Sequence, residues 1–231
     1  MNIFQTLTEK PWLHSDPASM ATDNQLTGVS SRPMANSKSL PLTIFLIIIS
    51  VFFSLFIITF LARSQYPDFQ ALAGDIWQPF YKPTLLWINS AYLFAASICM
   101  QVSLNSVKRE SFKIATCAFV GAILFSLQFI IAQLLLWQQL NMLGFYLASN
   151  PANSYFYVFT ALHGLHLSGG ILVLILAGRD YLRHQSLSKF KSSLELCTRY
   201  WHYLFALWLV LFFLIASPPR TYAILAALCG Y

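Results

Sequence analysis

Three histidines carry the most chemical potential in this chain: His163, His166 and His202. His163 and His166 are three residues apart, so on a helix they share a face, together with Gly170 seven residues on from His163. Three imidazoles are enough to begin a zinc or transition-metal site. Such a shell also needs a fourth ligand and orienting partners, and no carboxylate or thiolate stands near to supply them. The alternative is that each imidazole bonds a backbone carbonyl, a neighbouring helix or a lipid headgroup, and this reading is preferred. Haem chemistry is disfavoured too: no CxxCH is present, and the 5 histidines of the whole chain are too few for a multi-haem, copper-binding core.

Acid–base chemistry has little to work with. The 8 carboxylates are Glu9, Asp16, Asp23, Asp68, Asp75, Glu110, Asp180 and Glu195. None falls inside a long apolar stretch. Ion-coupled transporters keep ionisable groups within the membrane, and paired or broken apolar segments are also missing here.

The elements that position these residues follow from composition. Of 231 residues, 57% are hydrophobic and 10% charged, whereas a soluble domain carries about 25% charged residues. A water-soluble globule, a disordered chain and a nucleic-acid module are excluded. Crossing a bilayer takes about 20 helical residues. Apolar stretches of that length run over 40–62, 84–106, 114–137 and 155–178, with a shorter fifth over 200–217. Backbone groups in lipid must be satisfied within the segment, so these are helices, not strands. The fold expected is an all-α integral membrane bundle of five transmembrane helices.

Loop charge orients the bundle. With the N-terminus cytoplasmic and the C-terminus periplasmic, 11 of the 14 Lys and Arg residues fall on the inner side. The formal charge of +6 is therefore a topology signal and a surface for anionic headgroups. Residues 1–39, rich in Ser, Thr, Asn and Pro, read as a flexible cytoplasmic tail without a signal-peptide pattern. Residues 218–231 read as a short C-terminal tail. Cys99, Cys117, Cys197 and Cys229 show no close spacing, so neither a disulfide framework nor a CxxC site is indicated.

Gly164, Ser168, Gly169 and Gly170 leave one flank of the fourth helix nearly bare. Small residues at this spacing let backbones approach, either to dock another subunit or to pack within the bundle. Asn89, Ser90, Ser97, Gln101, Ser103 and Asn105 on the second helix, with Gln128 and Gln133 on the third, cannot all face lipid. They are expected to bond across helices as glue, not to line a conduction path.

Two stretches carry a family resemblance. Tyr155–Gly170, YFYVFTALHGLHLSGG, resembles the FY-x-x-T-G-x-H-G-x-H-V-x-x-G signature of subunit III of haem–copper oxidases. Glu195–Trp208, ELCTRYWHYLFALW, resembles that family's E-x-x-x-x-[FY]-W-H-[FY]-x-D-x-x-W in the same order and spacing. Weaker echoes lie at Phe45–Phe53, Leu86–Gln101 and Phe129–Trp137. Three acids of the family pattern are replaced here by Val51, Leu136 and Phe205. A five-span layout with the N-terminus inside resembles the bacterial form that lacks the first two of seven helices.

The resemblance implies an accessory role in a cytochrome c or quinol oxidase of a bacterial inner membrane. The chain would carry no haem or copper, which belong to partner subunits. It would pack against catalytic subunit I, with subunit II and small subunits as further partners, and hold phospholipids; nucleic acid is not a partner. His163, Gly164, His166, Gly170, Glu195, Trp201, His202 and Trp208 are its motif positions. Arg63, Arg179 and Arg199 join them as helix-end cations able to reach lipid phosphate. The alternatives are a partner of a nitric oxide reductase and, in another class, a small independent transporter.

Overall fold

The described residues form six helices. The computed structural model describes residues 39–74, 79–80, 83–182, 187–228 and 230. Of the expected tail over 1–39, residues 1–38 lie outside the described residues and Ser39 begins the first helix; Cys229 also lies outside them. The helices are α1 (Ser39–Arg63), α2 (Thr84–Lys108), α3 (Phe112–Met142), α4 (Pro151–Leu182), α5 (Leu187–Ala216) and α6 (Pro219–Leu228). The first five are long and apolar enough to cross a membrane, as expected for an integral membrane helical bundle.

Two differences from the sequence reading have simple causes. The fifth helix does not wait for Tyr200 but starts at Leu187. Its first three turns carry Lys191, Glu195 and Arg199, which hide a helix from a hydropathy argument. The expected C-terminal tail contains α6, whose Tyr222 is buried against Phe60 of α1 at 5.2 Å, edge to face. The Tyr222 hydroxyl donates to the Leu214 carbonyl at 2.9 Å, and burial pushes its ionisation above the ordinary phenol value.

The connections are built from local hydrogen bonds. Between α2 and α3 the chain reverses over Arg109, Glu110 and Ser111. The Arg109 and Ser111 N–H groups donate to the carbonyls of Asn105 (3.1 Å) and Ser106 (2.9 Å). Glu110 adopts the left-handed conformation at φ 59°, the position that closes a helix and normally falls to glycine. Between α3 and α4, Gly144 takes that conformation, at φ 87°. The Tyr157 hydroxyl reaches back to Asn141 and the Phe145 carbonyl, both at 3.0 Å. Asn150 opens α4 by accepting from the Ala152 N–H at 3.2 Å, and bonds the backbone of Gln70 as well.

α1 is apolar on every side, and most of that surface faces outward: Ile44, Ile47, Val51, Phe52 and Leu55 are exposed. Only Ile49, Phe53, Phe60 and Leu61 enter the core. In lipid this costs nothing, because hydrocarbon solvates such side chains as well as a protein core does.

Candidate functional site: a four-way helix hub and the cleft beside it

α5 holds the bundle together through four consecutive side chains, each bonded to a different helix. The Tyr200 hydroxyl donates to the His166 carbonyl of α4 at 2.9 Å. The Trp201 indole N–H donates to Ser126 Oγ of α3 at 3.0 Å. His202 bonds Ser97 (2.6 Å) and Gln101 (3.0 Å) of α2. The Tyr203 hydroxyl pairs with Ser50 Oγ of α1 at 2.9 Å. Successive residues of an α-helix point about 100° apart, so four in a row address the full circumference.

A shared chemistry lies beneath these contacts. Ser126, Ser50, Ser90 and Thr160 each donate their own hydroxyl proton to a carbonyl one turn back. That leaves an oxygen lone pair facing the next helix, where an aromatic donor meets it. The pairs are Trp201 with Ser126, Tyr203 with Ser50, Trp208 with Ser90 at 2.9 Å, and Trp137 with Thr160 at 3.1 Å. Every hydroxyl is satisfied and no charge enters the core. Asn89 adds a further cross-link, its side-chain N–H donating to Gln133 Oε1 at 2.9 Å.

Ser97 departs from this pattern: its hydroxyl makes its one bond to His202 Nδ1. With Ser97 as the donor to Nδ1, the Nε2–H donates in turn to Gln101 Oε1. The Gln101 amide then donates to Asn105 Oδ1 at 3.1 Å. A directional chain thus runs Ser97, His202, Gln101, Asn105.

The three histidines do not converge. His163 is fully buried against Phe129 and Trp208, with ring centroids 5.7 and 5.3 Å away. Both its nitrogens lack a hydrogen-bond partner. His166 Nδ1 bonds its own helix at the Leu162 carbonyl (2.7 Å), and its ring lies against Phe53 of α1 at 5.9 Å. His202 faces α2. Among the described residues no group of three His, Cys, Asp or Glu is placed to hold a metal ion.

The bare flank of α4 divides. A Cβ on Gly170 would stand 2.7 Å from Tyr200 and 3.2 Å from Trp201, so this glycine makes room for two α5 side chains against α4. Gly164 and Gly169 have open space instead. Gly169 and Gly170, with His166, Tyr200, Trp201 and Cys197, line an apolar cleft of about 590 Å³ closed on its other side by Leu42 and Phe45 of α1. Its dimensions match a small-molecule or acyl-chain site.

The remaining candidates sit at helix ends or in the core. Arg63 at the end of α1 is paired with Asp68 through both guanidinium nitrogens, one contact measuring 2.7 Å, and lies over the Tyr66 ring at 5.0 Å. That hydrogen bond holds the Asp68 carboxyl below its ordinary ionisation range. Arg199 meets Glu195 one turn back at 3.3 Å, both exposed enough to be solvated. Arg179 lies in the last turn of α4. Trp208 is fully buried, stacked edge-on against Phe129 at 4.8 Å. Where the family pattern has acids, Val51 is exposed on α1, Leu136 is buried, and Phe205 contacts Phe94 at 5.4 Å.

Tyr200, Tyr203, Ser50 and Ser126 are site residues that the sequence reading did not single out. A signal was available: a phenol in mid-helix among apolar residues needs a hydrogen-bond partner, and two of them bracket Trp201 and His202.

Comparison with known proteins identifies the family. The family profile described as cytochrome c oxidase subunit III matches residues 6–217. The chain is similar to a probable cytochrome c oxidase subunit 3 from Mycobacterium bovis, 29% identical over 173 residues, covering 71% of this chain and 79% of that protein. The corresponding Mycobacterium tuberculosis protein gives the same figures. A cytochrome c oxidase subunit 3 from Petromyzon marinus is 28% identical over 134 residues, covering 58% of this chain and 49% of that one. The match takes in all five long helices, the histidine pair of α4 and the hub of α5, and the chain belongs to the cytochrome c oxidase subunit III family.

Proposed function

We propose that this chain is the accessory subunit III of a haem–copper terminal oxidase in a bacterial inner membrane. It braces catalytic subunit I and holds phospholipid, while the redox chemistry of oxygen reduction proceeds on haem and copper in partner subunits. The observation that carries this reading is how its polar groups are used. The hub residues and the serines facing them are engaged in joining helices, and no acid lies within α2, α3 or the core of α5. A scaffold needs such cross-links, whereas a proton or ion pathway needs ionisable groups left available.

The lipid part rests on the cleft between α1, α4 and α5. Its walls are apolar, and the open space over Gly169 admits a chain without displacing protein atoms. The biased loop charge supports an inward N-terminus and an outward C-terminus. Arg179, in the last turn of α4, is suited to phosphate at that membrane face, whereas Arg199, expected at a helix end, lies three turns inside α5.

Purifying the tagged chain from its own membranes tests the proposal. The expected result is co-purification of a haem-containing partner with oxygen-reducing activity, together with bound phospholipid. Gly169→Phe, which fills the cleft, is expected to release that lipid and leave the bundle folded. Recovery of the chain alone, with no haem-bearing partner, would overturn the accessory-subunit reading. Unchanged lipid content in Gly169→Phe would overturn the lipid-holding part.

A further inference from the structure

The hydrogen-bond chain on α2 and α5 passes through His202 and Gln101 at a depth where lipid offers no partner, and runs out toward the Lys108 end of α2 at Asn105. Ser97 lies about 16 Å from the Lys108 end of α2, and His202 about 18 Å from Phe190, at 1.5 Å per helical residue. A hydrocarbon core is about 30 Å thick, so both sit close to its middle. Ser97 is buried, but His202 is exposed, Gln101 is partly so and Asn105 is exposed. The Gln101 amide makes one of its two possible donations, and the Asn105 side-chain N–H groups make none among the described residues. Phosphate and glycerol groups are out of reach of His202 and Gln101, and hydrocarbon offers no acceptor.

We propose that the face where α2 and α5 meet around His202 docks a transmembrane helix of a partner chain. That helix presents a hydrogen-bond acceptor, a carboxyl, hydroxyl or free carbonyl, to Gln101 and Asn105 on the Lys108 side of mid-depth. The proposal deepens the accessory-subunit reading and rests on it for the existence of a partner. Polar side chains exposed in mid-membrane are costly unless a neighbouring helix receives them. Here they lie along the seam of two helices, with Ile98, Val102 and Leu209 exposed beside them as apolar ground for the same partner. Ala206, exposed one turn beyond His202, lets a backbone approach. Other exposed polar side chains in mid-helix are Ser54 on α1, Ser168 on α4 and Gln128 on α3, the last without a hydrogen bond. Each stands alone on its own helix, so it offers one contact where the α2–α5 seam offers several.

Site-specific photo-crosslinking in intact membranes distinguishes these surfaces. The photoreactive residue p-benzoylphenylalanine is placed at Val102 or Ala206 on the proposed face, and at Leu124 or Val51 on two others. Adducts from Val102 and Ala206 to a haem-bearing oxidase subunit, with none from Leu124 or Val51, are the expected result. Adducts confined to Leu124 would overturn the proposed face and leave the accessory-subunit reading intact. Adducts of twice the chain's own mass, or lipid adducts alone at Val102 and Ala206, would overturn it as well. Adducts from this face to a partner that carries no haem would retain the face and overturn the oxidase reading. As a second measurement, Asn105→Leu removes only the exposed end of the chain. It is expected to lower retention of the partner in detergent about threefold, the effect of one average interhelical hydrogen bond in a membrane. Unchanged retention would overturn the acceptor-mediated contact.

Discussion

Gly170 offers the sharpest test of how the bundle closes. A methyl group there would stand 2.7 Å from Tyr200 Cε1 and 3.2 Å from two atoms of the Trp201 ring. Neither ring can swing aside cheaply. Tyr200 is tethered by its hydroxyl to the His166 carbonyl, and Trp201 by its indole to Ser126. Gly170→Ala therefore forces α4 and α5 apart by a few tenths of an ångström or distorts both rings, at a cost of about 1–3 kcal/mol for an overpacked core. Gly164→Ala is the matched control, since nothing lies within 4 Å of its Cβ and alanine is the better helix former. Cys197 supplies the readout. It is buried at 7% exposure, whereas Cys117 is exposed and Cys99 partly so. In a background with the other three cysteines replaced by serine, a maleimide dye reacts with Cys197 as the bundle opens on heating. The Gly170→Ala midpoint is expected to fall about 2–12 °C below that of Gly164→Ala, at about 2–4 °C per kcal/mol for a chain of this size. Adding Tyr200→Phe frees the ring and should recover part of the loss. Equal midpoints for the two alanine variants would refute the close approach of α4 and α5.

Other expectations follow from the same contacts. Trp201→Phe and Ser126→Ala should each lower the midpoint by the equivalent of about 1 kcal/mol, and the double variant by less than their sum, because both remove one bond. His163→Leu should be neutral or raise the midpoint, since it replaces a buried ring with two unpartnered nitrogens by hydrocarbon; a clear fall would show that the imidazole has a partner. Glu110→Gly should raise the midpoint by the equivalent of about 1 kcal/mol, relieving a side chain held at positive φ. The Arg63–Asp68 pair gives a pH signature. Asp68 is ionised more readily when folded, so its contribution is present above about pH 4, the unpaired carboxyl value, and lost as pH falls further. The stability difference between the natural chain and Asp68→Asn should disappear in that acid range, and a difference that persists there would exclude the pairing.

The spans of α1 to α4 were legible because hydropathy over 20 residues is decided by the membrane itself, whatever the partners. The start of α5 was not, since Lys191, Glu195 and Arg199 dilute the apolar signal while leaving helix formation untouched. Ten-residue α6 was missed for a related reason: it is too short to span, and what fixes it is the contact of Tyr222 with Phe60. The α2 polar residues were expected to act as glue, and Asn89, Ser90, Ser97 and Ser103 do bond other helices or the facing turn. Asn105 bonds only its own helix, and Gln128 bonds nothing. The two uses weighed for the glycine flank both contain part of the arrangement, because facing is a rotational property of α4 that spacing leaves open by one residue: Gly170 turns inward and Gly169 does not.

The position of the hub in chain order has a consequence for biosynthesis. α1 to α4 emerge from the ribosome and enter the bilayer before the helix that joins them. Until Tyr200 through Tyr203 arrive, Ser50, Ser97 and Ser126 have no cross-helix partner on α5, and Gly170 faces empty space. The nascent bundle is thus an open ring waiting for its axle, and a chain interrupted ahead of α5 would present those unsatisfied surfaces to membrane proteases and chaperones. Completion of the fifth span is then the checkpoint at which a stable subunit becomes available for assembly.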